Sequence, residues 1–230
     1  MKALLIAHGQ PSSPEPAQAA LGELACLVAG HLPGWDIRYA TLALPGALAQ
    51  AVDPTPGLVY PMFMAGGWFT RTEVPRRMGL EGAQDWHHLS PFGLDEAVQD
   101  LAVTVAQEAA TALGRAPADT PVLVAAHGSG RSRAPAEVAE TMANRLRAAG
   151  FTRAQAYFIE EAPFIAEARD FGPGSLCLPF FAAEGGHVTD DLPEALALAG
   201  FQGLCLPPLG LDPRVPALIA ATLKRSAGIA

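Results

Sequence analysis

The chain states one pattern twice. Leu4-Leu5-Ile6-Ala7-His8-Gly9 returns as Val122-Leu123-Val124-Ala125-Ala126-His127-Gly128. Pro61-Met62-Phe63-Met64-Ala65-Gly66-Gly67-Trp68, then Val74-Pro75, returns as Pro179-Phe180-Phe181-Ala182-Ala183-Glu184-Gly185-Gly186-His187, then Leu192-Pro193. The stretch 89–95 returns at 206–212, and the offset stays between 117 and 119 residues throughout. The repeating unit is therefore about 115 residues long, far beyond any solenoid period. From His8 to Trp68 is 60 residues, and from His127 to His187 is also 60. By that spacing one half carries a histidine and a tryptophan where the other carries two histidines.

A duplicated unit of this size predicts two similar lobes. Apolar residues make up 50% of the chain and charged residues 17%, the balance of a well-buried folded protein. The net charge of −8 argues against nucleic-acid and membrane-surface partners, both of which need a basic face. No apolar run approaches the roughly 18 residues of a transmembrane helix, and the first strand-like run leads straight into His8 without a leader-type cleavage site. A cytoplasmic protein is expected. Cys26, Cys177 and Cys205 form no Cys-x-x-Cys pair and stand in apolar stretches, which predicts free, buried thiols in a reducing compartment. Three thiolates also fall short of the usual four of an iron–sulfur cluster.

Within each half, strand-length apolar runs alternate with helical periodicity. The first half reads as strands at 3–7, 37–42, 57–64 and 86–89, with helices at 15–31, 44–52, 71–78 and 94–113. The second reads as strands at 122–126, 154–159, 176–181 and 203–206, with helices at 134–149, 163–169, 189–199 and 214–224. The polar segment 114–121, with two prolines, separates them. The expected division is a lobe at 1–113 with a degenerate site, a linker at 114–121, and a lobe at 122–230 that carries the metal site. The fold class is α/β: two αβα lobes with parallel sheets, related by duplication. Such sheets bind ligands beyond the carboxyl ends of their strands. His8, His127, Glu160 and the 185–187 loop all fall there, so the lobes are expected to face each other across a cleft.

His127 closes a strand and precedes Gly128-Ser129-Gly130; His187 follows Gly185-Gly186; Glu160 and Glu161 close the strand between them. Two imidazoles and a carboxylate suit a divalent transition metal, and the same groups accept protons near neutral pH. In the first half Leu42 and Ala43 stand where the carboxylates would be, and Trp68 stands for the second histidine. His8 survives alone, either completing a shared cleft or persisting as a relic held by hydrogen bonds. No phosphate loop, dinucleotide fingerprint or nucleophile elbow is present. His87 and His88, adjacent in a strand, should point to opposite faces.

His127-Gly128-Ser129, Phe158-Ile159-Glu160, and Pro179-Phe180-Phe181 with Gly186-His187-Val188 and Asp191-Leu192-Pro193 resemble the sirohydrochlorin chelatase family of CbiX-type class II chelatases. The resemblance runs along both halves. It implies a chelatase-like fold and ATP-independent insertion of cobalt, or ferrous iron, into sirohydrochlorin or a related tetrapyrrole, in cobalamin or siroheme biosynthesis. It places metal binding and proton transfer on His127, His187 and Glu160, with Glu161 as the alternative carboxylate. The metal is then a substrate, no organic cofactor is expected, and the chain acts as a monomer of two fused halves or a weak homodimer. Sirohydrochlorin carries carboxylates that arginine forks can bind: Arg131 and Arg133 after the His127 turn, and Arg71, Arg76 and Arg77 in the first half. Ser129, Gly186, Trp68 and His8 complete the expected substrate contacts, with Trp68 available for stacking. The rival reading is a non-catalytic carrier of metal or tetrapyrrole.

Overall fold

Runs such as 122–126 contain no polar residue, so a strand formed there must be covered on both faces. A computed structural model describes residues 1–229 and places these runs at the centres of two four-stranded parallel sheets. In the first sheet, β1 (Lys2–Ala7) lies between β2 (Asp36–Thr41) and β3 (Leu58–Pro61), and β4 (His87–His88) forms the edge beside β3. In the second, β5 (Val122–Ala126) lies between β6 (Ala154–Phe158) and β7 (Leu176–Pro179), with β8 (Leu204–Cys205) at the edge. Every residue of β5 is buried, as are Ala3, Leu4, Leu5 and Ile6 of β1. In both sheets the chain leaves the central strand for one side and returns on the other. The loops after the central strand and its two neighbours therefore gather at one end, at the topological switch point where such sheets bind ligands.

Seven α-helices accompany these strands among the described residues: α1 (Pro14–Gly30), α2 (Ala47–Ala51), α3 (Val74–Leu80), α4 (Glu96–Ala112), α5 (Ala134–Ala148), α6 (Leu192–Ala199) and α7 (Val215–Ser226). Prolines at the first turns of α1, α3, α5, α6 and α7 occupy positions where the missing N–H costs no internal bond. The helix expected at 163–169 is only a single 3-10 turn, Ile165–Glu167. The Phe158 N–H donates to Pro163 O and Phe158 bridges Phe164 in parallel, so the preceding residues extend the sheet edge instead of starting a helix. The helices expected at 71 and 189 begin earlier, each with a single π-turn: Phe69–Glu73 before α3 and His187–Asp191 before α6.

The chain packs into two units that do not follow the repeat boundary. One comprises Met1–Phe92 together with the segment from Pro213 onward; the other is Gly93–Asp212. The division expected at 114–121 thus falls inside the second unit. The last helix of each repeat is the reason: α4 packs on β7 and α5, while α7 packs on α1 and β3. In the first unit Leu4, Ile6, Val59, Val74, Met78 and Trp86 share one core. In the second, Leu123, Ala125, Tyr157, Phe171, Phe181 and Leu196 do so. The cysteines depart from expectation, since only Cys177 is buried and Cys26 and Cys205 are exposed. His87 is exposed and His88 half-buried, as opposite-facing neighbours require; burial lowers the His88 pKa. No helix among the described residues is long and apolar enough to cross a membrane.

One glycine shows how tightly the second unit closes behind β7. A Cβ on Gly210 would lie 2.0 Å from Ala182 O, while the Gly210 N–H donates to Phe181 O at 2.9 Å. Neither backbone segment can yield without breaking that bond. Gly210→Ala should therefore cost about 2 kcal/mol or more in chemical denaturation. Gly79→Ala in α3, where a Cβ meets nothing within 4 Å, should be neutral or stabilising by about 0.5 kcal/mol.

Candidate metal centre

β5 delivers His127 one residue past its last buried alanine, and the turn that follows depends on glycine. Gly128 has φ of +73°, and a Cβ there would lie 2.9 Å from Phe158 Cβ and from Glu161 Cγ, so an L side chain is excluded by conformation and by space. The tight turn brings Gly128 O to 2.8 Å from His127 Nδ1. A carbonyl only accepts, so Nδ1 carries the hydrogen and Nε2 presents a lone pair. His187 opens the π-turn after β7, where its Nδ1 lies 2.7 Å from Asp191 Oδ2. That carboxylate also requires an Nδ1–H, leaving a second Nε2 lone pair.

The two lone pairs face each other. Nε2 of His127 and Nε2 of His187 are 2.9 Å apart, with the rings perpendicular at 89° and their centroids 4.3 Å apart. Two unshared pairs at that distance repel unless a proton or a cation sits between them. Glu160 Oε1 lies 3.7 Å from His127 Nε2, and one ligand atom from each of the three residues falls within 4.8 Å of the others. Ligands about 2.1 Å from a common ion stand about 3.0 Å apart at right angles, so the imidazole pair matches adjacent positions on one metal. The His127, Glu160 and His187 side chains are 40%, 48% and 44% exposed, which leaves further coordination positions open to a second ligand.

The two neighbouring carboxylates divide their work. The Glu160 N–H donates to His127 O, which fixes its backbone beside the imidazole while its carboxylate reaches the site. Glu161 turns back: its Oε1 accepts from the Ser129 N–H at 2.8 Å, and Arg133 lies 3.6 Å from its other oxygen. It clamps the His127-Gly128-Ser129 turn and does not join the triad. Ser129 Oγ accepts from the Arg131 N–H. Arg133 is also paired with Glu140 at 3.0 Å, so only Arg131 of this pair has an unengaged guanidinium among the described residues. Gly186 caps the π-turn just before His187.

The first unit repeats the backbone with different chemistry, and here two expected equivalences move by one residue. The Leu42 and Ala43 N–H groups donate to Ala7 O and His8 O, as those of Ile159 and Glu160 do to Ala126 O and His127 O. Ala43 and Leu44, not Leu42 and Ala43, therefore replace Glu160 and Glu161. Likewise the π-turn begins at Phe69, the counterpart of His187. Trp68 matches Gly186 and is 60% exposed. Phe69 meets His8 edge to face, with centroids 4.6 Å apart and planes at 81°, reproducing the His127–His187 arrangement without a second nitrogen. His8 retains its Nδ1 bond to Gly9 O at 2.9 Å. Glu73, the counterpart of Asp191, is held by Arg76 and Arg77 at 2.6–2.9 Å, and these guanidiniums lower its pKa to about 2. Of the arginines considered for substrate in this unit, Arg71 alone has a guanidinium with no internal partner among the described residues.

Comparison with known proteins agrees with this architecture. The CbiX family model matches residues 121–226. The chain is 51% identical to the solved structure described as CbiX, the terminal enzyme for biosynthesis of siroheme in denitrifying bacteria; the match covers 98% of this chain and 99% of that one, with a TM-score of 0.90. It is 26% identical over 164 residues to a probable sirohydrochlorin cobaltochelatase of Halobacterium salinarum, covering 59% of this chain and 55% of that relative. The chain thus spans about half the length of that curated relative. SirB from Bacillus subtilis, solved with Fe³⁺, shares the fold with a TM-score of 0.70 over 99% of this chain and 97% of that one, at 14% identity. A chain of two such sheets, 51% identical along nearly its whole length to a solved CbiX, belongs to the CbiX family.

Proposed function

We propose that this protein inserts a divalent metal, cobalt or ferrous iron, into sirohydrochlorin or a closely related tetrapyrrole without ATP, using His127, His187 and Glu160. The observation that carries this reading is the pair of Nε2 lone pairs held 2.9 Å apart with both Nδ1 atoms engaged. Such a pair accepts a soft-to-borderline cation or a proton, and metal insertion requires both. Each insertion releases two protons from pyrrole nitrogens. Glu160, whose carboxylate makes no hydrogen bond among the described residues, is the group best placed to receive one and move away, and the Nε2 pair that has surrendered the metal receives the other. The metal is a passing substrate, so three half-exposed ligands with open positions suit it better than a closed tetrahedral site.

Substrate carboxylates need cations on a protein whose net charge is −8. Arg131, beside the His127 turn, supplies a free fork in the second unit. Arg71, the exposed Trp68 indole and His8 are the corresponding surface of the first unit, and we assign them to substrate contact. Two exposed free thiols and one buried one fit a reducing compartment such as the cytoplasm. We infer a monomer of two fused repeats or a weak homodimer, with no organic cofactor.

Steady-state insertion of Co²⁺ into sirohydrochlorin tests the reading. His127→Ala and His187→Ala should each lower turnover by about 100-fold or more, and Glu160→Gln by a comparable factor. Glu161→Gln should act mildly, since a Gln carbonyl still accepts from the Ser129 N–H. Stoichiometric binding without turnover in the unmodified protein would identify a carrier instead.

The repeat comparison generates a separate expectation. Titration with Co²⁺ alone should reveal one site per chain, abolished when His127 and His187 are replaced together. Ala43→Glu combined with Phe69→His should create a second site around His8. No gain of binding in that double variant would mean that the first unit differs in more than these two side chains.

A further inference from the structure

We propose that Asp191 is a positioning residue for metal capture: its carboxylate holds His187 in the tautomer and orientation that aim Nε2 at the ion. The inference rests on reading His127, Glu160 and His187 as the metal site, but not on the chemistry that follows capture. Asp191 lies on the same π-turn as the ring it holds. The Leu192 N–H donates to His187 O, and this wider turn places side chains four residues apart nearly one above the other. The result is the 2.7 Å bond between His187 Nδ1 and Asp191 Oδ2. His127 needs no such help, because the carbonyl of its own glycine turn serves it. Among the described residues, Asp191 is therefore the side chain whose removal would free a triad imidazole to rotate.

The first repeat is an internal control. Its π-turn has the same length and the same hydrogen bond, from the Val74 N–H to Phe69 O. It also has a carboxylate, Glu73, at the position of Asp191, yet the ring is phenyl and offers no N–H. There the carboxylate is taken by Arg76 and Arg77. At the matching positions of the second repeat stand Glu194 and Ala195, so both competing guanidiniums are missing where the ring is imidazole. A carboxylate serving only to build the π-turn would need no such exchange. Its partner changes together with the ring: arginines beside phenylalanine, imidazole alone beside the metal site. Metal-bound histidines commonly owe their orientation to an acceptor of this kind.

The test uses the full chain and Co²⁺ alone, followed by calorimetry and by the visible absorption of the bound ion. Asp191→Ala should weaken Co²⁺ binding about 10- to 100-fold, with unchanged circular dichroism and melting temperature. Asp191→Asn, whose carbonyl still accepts from Nδ1–H, should restore most of that affinity. Glu73→Ala should leave it unchanged. Equal affinity in Asp191→Ala and the unmodified protein would overturn the assignment, and so would equal losses in the Ala and Asn variants. Should Asp191→Ala fail to fold, nitrogen NMR of the unmodified, metal-free protein decides: a hydrogen on His187 Nδ1 supports the proposal, and a bare Nδ1 overturns it. If Co²⁺ binding depends on Asp191 while the unmodified protein inserts no cobalt, the proposed function fails and this inference stands. Intact insertion with unaltered binding in Asp191→Ala gives the reverse.

Discussion

The central strand of each sheet is hydrogen-bonded along both edges, and this constraint governs everything at the functional end. Once β5 is paired with β6 on one side and β7 on the other, the residues that follow the three strands have no choice but to emerge together. His127, Glu160 and the loop to His187 are those residues. Their separation in sequence, up to 60 positions, is irrelevant to their separation in space. The apolar continuity of the strands, which drives both faces under helices, and the convergence of the triad are thus consequences of one packing arrangement.

Because the arrangement occurs twice, the chain separates scaffold from chemistry. Both units keep the histidine after the central strand, the positive-φ glycine behind it and the π-turn after the third strand. A Cβ on Gly9 would lie 2.8 Å from Thr41 Cβ, as one on Gly128 would crowd Phe158. What the first unit lacks is the second imidazole and the carboxylate, replaced by Phe69 and Ala43. The backbone therefore forms without the second imidazole or the carboxylate.

The strands, most of the helices and the residues that meet beyond the strand ends are legible in the sequence because each rests on a local signal: an apolar run, a helical period, a histidine beside glycines. The one-residue errors have a common origin. Equal spacings of 60 pair Trp68 with His187, but the repeats differ in loop length between strands. The structural offset is 119 at His8, 117 at Thr41 and 118 at Phe69. Only the hydrogen bonds that close the loops reveal where the residue is gained or lost. The choice between Glu160 and Glu161 was hidden for the same reason: the two differ by which way a side chain turns after the same strand. The fate of α4 and α7 was hidden for another, since an amphipathic face declares that it will be covered but not by which sheet. Asp191 was visible as part of a motif, yet its role depends on a π-turn that helical periodicity does not distinguish from an ordinary first turn.

The distribution of restraint within the triad bears on how such a site can release what it binds. His127 is fixed by a main-chain carbonyl, and its turn is clamped by Glu161 through the Ser129 N–H. His187 is fixed by Asp191. Glu160 alone has a fixed backbone and an unanchored carboxylate, 48% exposed. Two restrained imidazoles would define where the proposed ion sits, since two Nε2 lone pairs 2.9 Å apart favour a cation or a proton between them. A carboxylate held by nothing else can leave the ion as easily as it joined. On the proposed function, restraint on the two imidazoles and freedom on the carboxylate would let the same three groups gather a metal, let it go and take up a proton in its place.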